Sequence, residues 1–356
     1  MKILQVIPVL GIGGAEIMCE NLTYELIKKG HDVVVVSLYS SHSLITERLE
    51  NKGVKIYYLS KKKGMDLSVI PRIRKVIKAE RPEVVHTHLD ALKYVGVATY
   101  FKKIRIVHTI HSLAEKNASR ATRRIYKNFF KRGVVPVALS KVVQQSIENT
   151  YKLNAYHIPI VFNGIDLSKC ISKQEYSLKD TFTIVHIGRF ADVKNHIGLL
   201  KAFKIFYRKY PNTVLQLIGD GEKKGEAEQF VTDNGLCNVV EFLGVQDNVY
   251  KYLNEADIFT LPSLYEGVPL TLIEAMGTGL PIVATNVGGI PDMLENKKYA
   301  LLVDVDEEKI AEAFLELAKD AEKRSYFGKK AKESSIKFSA SIMAEKYLEI
   351  YVQDRN

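Results

Sequence analysis

Residues 263–285 read SLYEGVPLTLIEAMGTGLPIVAT. Pro269 suits the first turn of a helix, where its missing N–H costs nothing. Leu270, Leu272, Ile273, Ala275 and Met276 carry that helix, and Gly277 and Gly279 end it. PIVAT (281–285) then reads as a buried strand. Glu266 stands in the loop before the helix, and Glu274 lies more than a turn inside it. The first-turn N–H groups and the helix dipole favour an anion at this point. Two carboxylates beside a phosphate would repel it, but they suit hydroxyl groups on either side of it. A phosphate flanked by hydroxyls describes a nucleotide sugar. Two ordinary surface acids near a helix start are the plainer alternative.

The helix-then-apolar-strand pattern extends in both directions. Upstream lie KILQVIPVL (2–10), DVVVVSL (32–38), VKIYYLS (54–60), VVHTH (84–88), IRIVHTI (104–110) and VVPVALS (134–140). A second series runs through TFTIVHIGRF (181–190), TVLQLIGDG (213–221), VVEFLGV (239–245), DIFTLPS (257–263), PIVAT and ALLVDV (300–305). Continuous apolar strands separated by helices predict parallel sheets covered on both faces. Two series predict two doubly wound α/β domains, with ligands at the C-terminal ends of the strands. The break falls near VFNGID (161–166), giving domains 1–165 and 166–339, with the polar segment 167–180 as a bordering loop. A length of 356 residues agrees with two domains.

At 46% apolar and 26% charged the chain reads as a globular protein. Cys19, Cys170 and Cys237 form neither a metal spacing nor a disulfide framework, which fits a reducing cytoplasm. No apolar run approaches the roughly 20 residues of a membrane span. MKILQVIPVL reads as a first strand, since a glycine loop and a polar helix follow it where a leader would carry a cleavage site. Residues 1–165 hold 27 Lys+Arg and 12 Asp+Glu, a net of +15, whereas the remainder holds 24 and 29, a net of −5. The asymmetry points the first half at something anionic. In RATRRIYKNFFKR (120–132), Ile125, Phe129 and Phe130 share a helical face between basic residues. That composition fits an interfacial helix, or a solvated helix that buries its aromatics in its own domain. No nucleic-acid module is recognisable.

GIGGAE (11–16) follows the first strand and opens a helix. Its sixth position is Glu16, so it is a poor dinucleotide fingerprint. Gly13 and Gly14 still allow close backbone approach to an anion or a sugar, although a tight turn would use them equally well.

These segments occur in an order that resembles the retaining glycosyltransferases of family four, which have the GT-B fold. The resemblance covers nearly the whole chain. It is carried by GGAE, VVHTH, VHTIH, NGID, GRF…KN, LIGDGE, FLG and above all YEGVPLTLIEAMGTGLPIVATNVGGIPDML (265–294). It implies an α/β protein of two Rossmann-like doubly wound domains facing across a cleft. The second domain would hold the donor and the first most of the acceptor. Glu274 would bind ribose hydroxyls and Glu266 would face the donor sugar. Gly267, Val268 and Leu270 would meet the diphosphate or sugar, with Gly13 and Gly14 opposite. Arg189 and Lys194 would neutralise the diphosphate as it departs. His111, ending VHTIH, would sit at the anomeric centre, with Glu16, His86 and His88 towards the acceptor. Strand alternation puts residues 108 and 110 on one face, and 109 and 111 on the other. The family also implies retention at the anomeric carbon, a donor carrying UDP in preference to GDP, and no metal or other cofactor. The one Asp-x-Asp, Asp304–Asp306, reads as strand-end acids and a helix N-cap. The helical stretch 338–353, with Met343, Tyr347, Ile350 and Tyr351 on one side, would cross back onto the first domain as part of 340–356.

The expected activity is sugar transfer to a lipid-linked saccharide in cell-surface polysaccharide assembly, from the cytoplasm or the inner face of the plasma membrane. The fold also admits transferases with soluble acceptors and a nucleotide-sugar epimerase. A nicotinamide-dependent oxidoreductase would need the third glycine that GIGGAE lacks. A non-catalytic binder has no evident use for Arg189, Lys194, Glu266 and Glu274 together.

Overall fold

The computed structural model describes residues 1–11, 13–177 and 181–353. It divides into two units, Met1–Gly164 with Ala340–Asn356, and Ile165–Ser339. Ile12 of the glycine loop, residues 178–180 of the bordering segment and residues 354–356 lie outside the described residues.

The first unit is built on a six-stranded parallel sheet of β1 (Lys2–Ile7), β2 (Asp32–Ser37), β3 (Lys55–Tyr58), β4 (Val84–His88), β5 (Arg105–Ile110) and β6 (Val135–Ala138). Its order is β3-β2-β1-β4-β5-β6. The second unit has β7 (Phe182–Ile187), β8 (Thr213–Ile218), β9 (Val240–Gly244), β10 (Ile258–Leu261), β11 (Ile282–Thr285) and β12 (Ala300–Val303). All are parallel, in the order β12-β11-β10-β7-β8-β9. Each sheet therefore has the first strand of its series beside the fourth. The direction of winding reverses between β1 and β4, and again between β7 and β10. Those are the points where loops diverge and leave room for a ligand.

Burial on both faces explains the unbroken apolar runs. Leu4, Val6, Val34, Val36 and Val85 pack with Ile73, Val76, Tyr94, Tyr126 and Phe130 on one face of the first sheet. Their strand neighbours Ile3, Val33 and Val84 pack with Met18, Leu22, Met343, Tyr347 and Tyr351 on the other. The last helix, Ala340–Val352, thus completes the second face of the first unit's sheet. Its Glu345 also pairs with Lys29, the C-cap of the helix Gly14–Lys28, at 2.8 Å.

The structure decides several local readings. Phe129 and Phe130 of the helix Arg120–Lys131 are buried, and only Ile125 of the three apolar residues is exposed. Phe130 stacks on His108 and meets Tyr151 edge-on, while Phe129 lies over Gly96, where an added Cβ would overlap its ring. The helix buries its aromatics in its own unit and offers solvent its basic residues, so it is not an interfacial helix with aromatics to insert. Pro269 is the N-cap of the helix Leu270–Thr278, one position before its first turn. Gly279 is the C-cap, with φ of 83°. Gly277 instead lies within the helix, where a Cβ would meet Cys170 Sγ at 2.6 Å. The segment after Gly164 is tied down: Lys173 Nζ donates to Ala256 O (2.7 Å) and Tyr176 donates to Gly279 O (2.7 Å). Asp306 caps the helix Glu307–Lys319 by accepting from Lys309 N, and Asp304 pairs with the Lys309 ammonium.

Candidate functional site

In the second unit the loops after β7 and β10 meet at the winding reversal. After β7 the chain passes Gly188 and Arg189, makes a short turn at Asp192–Lys194, and enters the helix His196–Lys209. Asn195, at φ of 55°, caps that helix by accepting from Gly198 N (3.2 Å). Its amide also donates to Pro262 O (3.1 Å), which locks the turn to the end of β10. Lys194 is thereby aimed at Glu266, and its ammonium donates to Glu266 Oε1 at 2.7 Å. Ser263 Oγ donates to the same oxygen at 2.6 Å. The Glu266 carboxylate is thus held from two sides and only 9% of the residue is exposed.

The backbone of Glu266 is fixed as well. Its carbonyl accepts from Gly289 N (3.0 Å). At Gly288, with φ of 55°, a Cβ would overlap that carbonyl. This explains the glycine pair after PIVAT: the chain must pass too close to Glu266 for any side chain. The helix Leu270–Thr278 starts just beyond, with no side-chain cap and no acid in its first turn. Such an N-terminus suits an anion.

Glu274 projects from the second turn of this helix. Its carboxyl is pushed up to about 7 by burial, a trend opposed by Lys169 and by a hydrogen bond from the Tyr250 hydroxyl. The residue as a whole is half-buried. Arg189 is placed differently. Its side chain is 73% exposed and pairs with Glu222 at 2.9 Å, while Lys194 is engaged with Glu266. In this state the two bases do not form one cationic clamp. Opening an exposed pair such as Arg189–Glu222 costs about 0–1 kcal/mol, so the guanidinium is easily released to a ligand.

In the first unit, Gly13 is the N-cap of the helix Gly14–Lys28 in an extended conformation. The Glu16 carboxylate folds back over it, with Oε2 2.5 Å from where a Gly13 Cβ would stand. Burial raises the Glu16 pKa. The anion position expected at Gly13 is therefore covered by the chain's own Glu16, whereas Gly14 is exposed and open.

His86 and His88 are corrected as residues that would touch an acceptor. Both are fully buried beneath the strand ends. His86 Nδ1 bonds the Tyr351 hydroxyl (2.7 Å) and Nε2 bonds Thr109 Oγ1 (2.8 Å), so both ring nitrogens are used inside the unit. Thr109 in turn bonds the Tyr347 hydroxyl (2.7 Å). His88 links Gln5 Oε1 through Nε2 (3.0 Å) to His111 Nε2 through Nδ1 (3.2 Å). The alternation expected of β5 holds: His108 faces Tyr126 and Phe130, whereas Thr109 and His111 face His86 and His88.

The donor and acceptor inventory settles the protons. Burial holds His88 well below its ordinary value and lowers His111 to about 4, so both are neutral near pH 7. The Gln5 amide nitrogen donates to Thr23 Oγ1 (2.7 Å), which leaves Oε1 to accept. His88 must then donate through Nε2 and accept at Nδ1. His111 donates through Nε2 and keeps a bare Nδ1, which can accept a hydrogen bond from a hydroxyl but cannot supply a proton. Gln5, Ser263, Tyr250, Lys169 and Glu222 were not singled out from sequence. Only Gln5 left a usable sign there, as a polar residue inside an apolar strand.

Sequence profiles of two families match the chain. "Glycosyltransferase Family 4" matches residues 12–169 and "Glycosyl transferases group 1" matches residues 169–334. An uncharacterized glycosyltransferase of Methanocaldococcus jannaschii is 30% identical over 60% of this chain and 58% of its own. The UDP-Gal:alpha-D-GlcNAc-diphosphoundecaprenol alpha-1,3-galactosyltransferase of Escherichia coli is 26% identical, over 68% and 67%. The N-acetyl-alpha-D-glucosaminyl L-malate synthase of Bacillus anthracis is 26% identical over 96% and 94%. The crystal structure of Anabaena HepE in complex with UDP superposes with a TM-score of 0.84 at 18% identity, covering 98% of this chain and 99% of that one. Two like-ordered parallel sheets, this match of fold, and the two profiles that together span residues 12–334 lead to one conclusion: the chain is a glycosyltransferase of family four, with the GT-B fold.

Proposed function

We propose that the protein transfers a sugar, with retention at the anomeric carbon, from a UDP-sugar to a lipid-linked saccharide acceptor at the cytoplasmic face of a membrane, in cell-surface polysaccharide assembly. The observation that carries this reading is the cluster of Lys194, Ser263 and Glu266 at the β7–β10 reversal, beside an uncapped helix that bears Glu274. The second unit takes the donor. Glu274 receives the ribose hydroxyls, the helix N-terminus with Gly267, Val268 and Leu270 receives the diphosphate, and Glu266 faces the sugar. Lys194 and the released Arg189 take up the charge that grows on the diphosphate, which is worth several kcal/mol in a dry site. The C1–O bond to the phosphate breaks with its electron pair going to that oxygen. The acceptor oxygen bonds C1 on the same face and gives its proton to the departing phosphate. No side-chain base is needed, so Glu266 is a positioning group, and no metal is required. His111 offers its bare Nδ1 to a sugar hydroxyl, and the first unit, with Glu16 near its glycine loop, takes the acceptor.

A UDP-sugar is supported by the donor named for the Escherichia coli relative and by the UDP held by the Anabaena protein. The lipid-linked acceptor is supported by the diphosphoundecaprenol in that relative's name and by the charge of the first half. A soluble acceptor is the second reading, because the malate-glycosylating relative matches almost the whole chain. Incubation with a panel of UDP- and GDP-sugars is expected to give slow hydrolysis of one UDP-sugar, undiminished by EDTA. Hydrolysis of GDP-sugars alone, or loss of activity in EDTA restored by manganese or magnesium, would overturn the donor assignment or the metal-free clamp respectively. Transfer to malate or another soluble acceptor with no transfer to a lipid diphosphate saccharide would select the second reading.

A further inference from the structure

One loop of the first unit is firmly built yet ends in exposed apolar side chains. It joins β3 to the helix Val69–Glu80 and reads KKKGMDL over residues 61–67. Lys61 is buried and holds the loop from beneath, its ammonium donating to Tyr39 Oη (2.8 Å), Lys62 O (2.9 Å) and Gly64 O (2.6 Å). It also lies over the rings of Tyr39 and Tyr94. Gly64, at φ of 77°, turns the chain back. Asp66 points inward and accepts from Lys62 N (2.9 Å), Ser68 N (3.0 Å) and Ser68 Oγ (2.6 Å). The loop's one acid is therefore consumed within it. What remains outside is Met65 at 66% exposure, Leu67 at 65%, and the exposed Lys62 and Lys63.

The bracing holds Met65 and Leu67 out in water, where their apolar area gains hydrophobic stabilisation only if a partner covers it. Apolar tips between basic residues with no outward acid fit an interface between headgroups and acyl chains. The net of +15 over residues 1–165 draws the same unit to anionic lipid. The location fits too. The loop follows β3, so it lies at the C-terminal edge of the sheet, as His88 and His111 do. β3 stands three strand spacings from β4, about 14 Å. Phe101 is 91% exposed and Tyr100 carries Arg132 at 4.0 Å, but they precede β5 at the opposite edge. A membrane met there would hold the histidines away from the lipid.

We propose that residues 62–67 dock the first unit on an anionic lipid surface, with Met65 and Leu67 entering the acyl boundary and Lys62 and Lys63 meeting lipid phosphates. The purpose of this docking rests on the membrane-held acceptor proposed above, but the binding itself does not. The test is co-sedimentation of the full chain with equimolar phosphatidylcholine–phosphatidylglycerol vesicles at low salt, against phosphatidylcholine vesicles alone. The wild type is expected to bind the anionic vesicles only. Met65→Ser with Leu67→Ser is expected to weaken that binding at least about tenfold. Lys62→Glu with Lys63→Glu is expected to abolish it, and Phe101→Ser to leave it unchanged. UDP affinity serves as the control for folding and is expected to stay at the wild-type value in all variants. Failure of the wild type to bind, equal binding by the Met65/Leu67 variant, or loss on Phe101→Ser would overturn the assignment. So would a concentration-dependent dimer that the Met65/Leu67 variant loses, which would make a second copy the occupant. If the vesicle results hold while a soluble acceptor alone is glycosylated, the acceptor reading falls and the docking site stands.

Discussion

A carboxyl whose pKa rises to about 7 on folding costs stability whenever it is ionised. Glu274 is such a group, and burial is the cause. Between its ordinary value near 4.5 and about 7, the folded state binds more protons than the unfolded state. Stability therefore falls as pH rises through this window. Glu274→Gln is expected to unfold at the same temperature as wild type at pH 4 or below, beneath the unfolded-state value. At pH 8 it is expected to be more stable, by on the order of 2 kcal/mol. Its UDP affinity is expected to drop at least about tenfold at pH 8, and the rise with pH expected of the wild type as Glu274 ionises is expected to vanish. Calorimetric UDP affinity equal to wild type at pH 8 would remove the ribose from this residue. At His111 the expectation concerns a proton. The chain from Gln5 through His88 requires His111 to carry hydrogen on Nε2 and none on Nδ1. Nitrogen-15 spectra of the labelled protein near pH 7 are expected to show that tautomer, and Gln5→Leu to mix it, with lower kcat and unchanged UDP affinity. The opposite tautomer in the wild type would rule out the relay.

At the scale of elements, the proposed donor site depends on where backbones pass closest. Gly288→Ala places a methyl group against the Glu266 carbonyl at a left-handed φ. The strain alone is about 1–2 kcal/mol, and the overlap adds to it. The variant is expected to melt earlier and to bind UDP-sugar more weakly. Gly225→Ala is the contrast, because it lies in the helix Lys224–Asp233 with nothing within 4 Å of the new methyl. That change is expected to stabilise by roughly 0.5–1 kcal/mol. Equal thermal midpoints for the two variants would show that Glu266 is not held by its backbone. The positions of Glu266 before the helix and Glu274 within it were legible in sequence, because strand–loop–helix order is a local pattern. The Lys194–Glu266 pairing was not, since the two residues are 72 positions apart and meet only through the β7–β10 adjacency.

Across the whole molecule, the end of the chain completes the core of its beginning. Tyr347 and Tyr351 are buried against the first sheet, and Tyr351 satisfies His86 from 265 positions away. Tyr351→Phe leaves that imidazole nitrogen buried without a partner and is expected to cost about 1–3 kcal/mol. Limited proteolysis is expected to open residues 1–164 of this variant before residues 165–339. Cleavage that starts in the second unit would show that the last helix does not limit the stability of the first.

Local pattern was enough for much of this protein. Apolar runs separated by amphipathic helices determine parallel sheets, because both sheet faces must be covered, and glycine spacing marks the turns. The loop-then-helix order that puts Glu266 before the helix and Glu274 within it was legible in the same way. Tertiary structure decided what depends on neighbours distant in sequence. Phe129 and Phe130 went to the core because Gly96, His108 and Tyr151 receive them, and no periodicity within 120–132 separates a buried face from a membrane-facing one. His86 and His88 became interior residues because Thr109, Tyr351 and Gln5 take up their nitrogens. Charge at a residue type is written in the sequence; whether that charge is paired, buried or displayed is set by the solvent and partners that only the folded chain supplies.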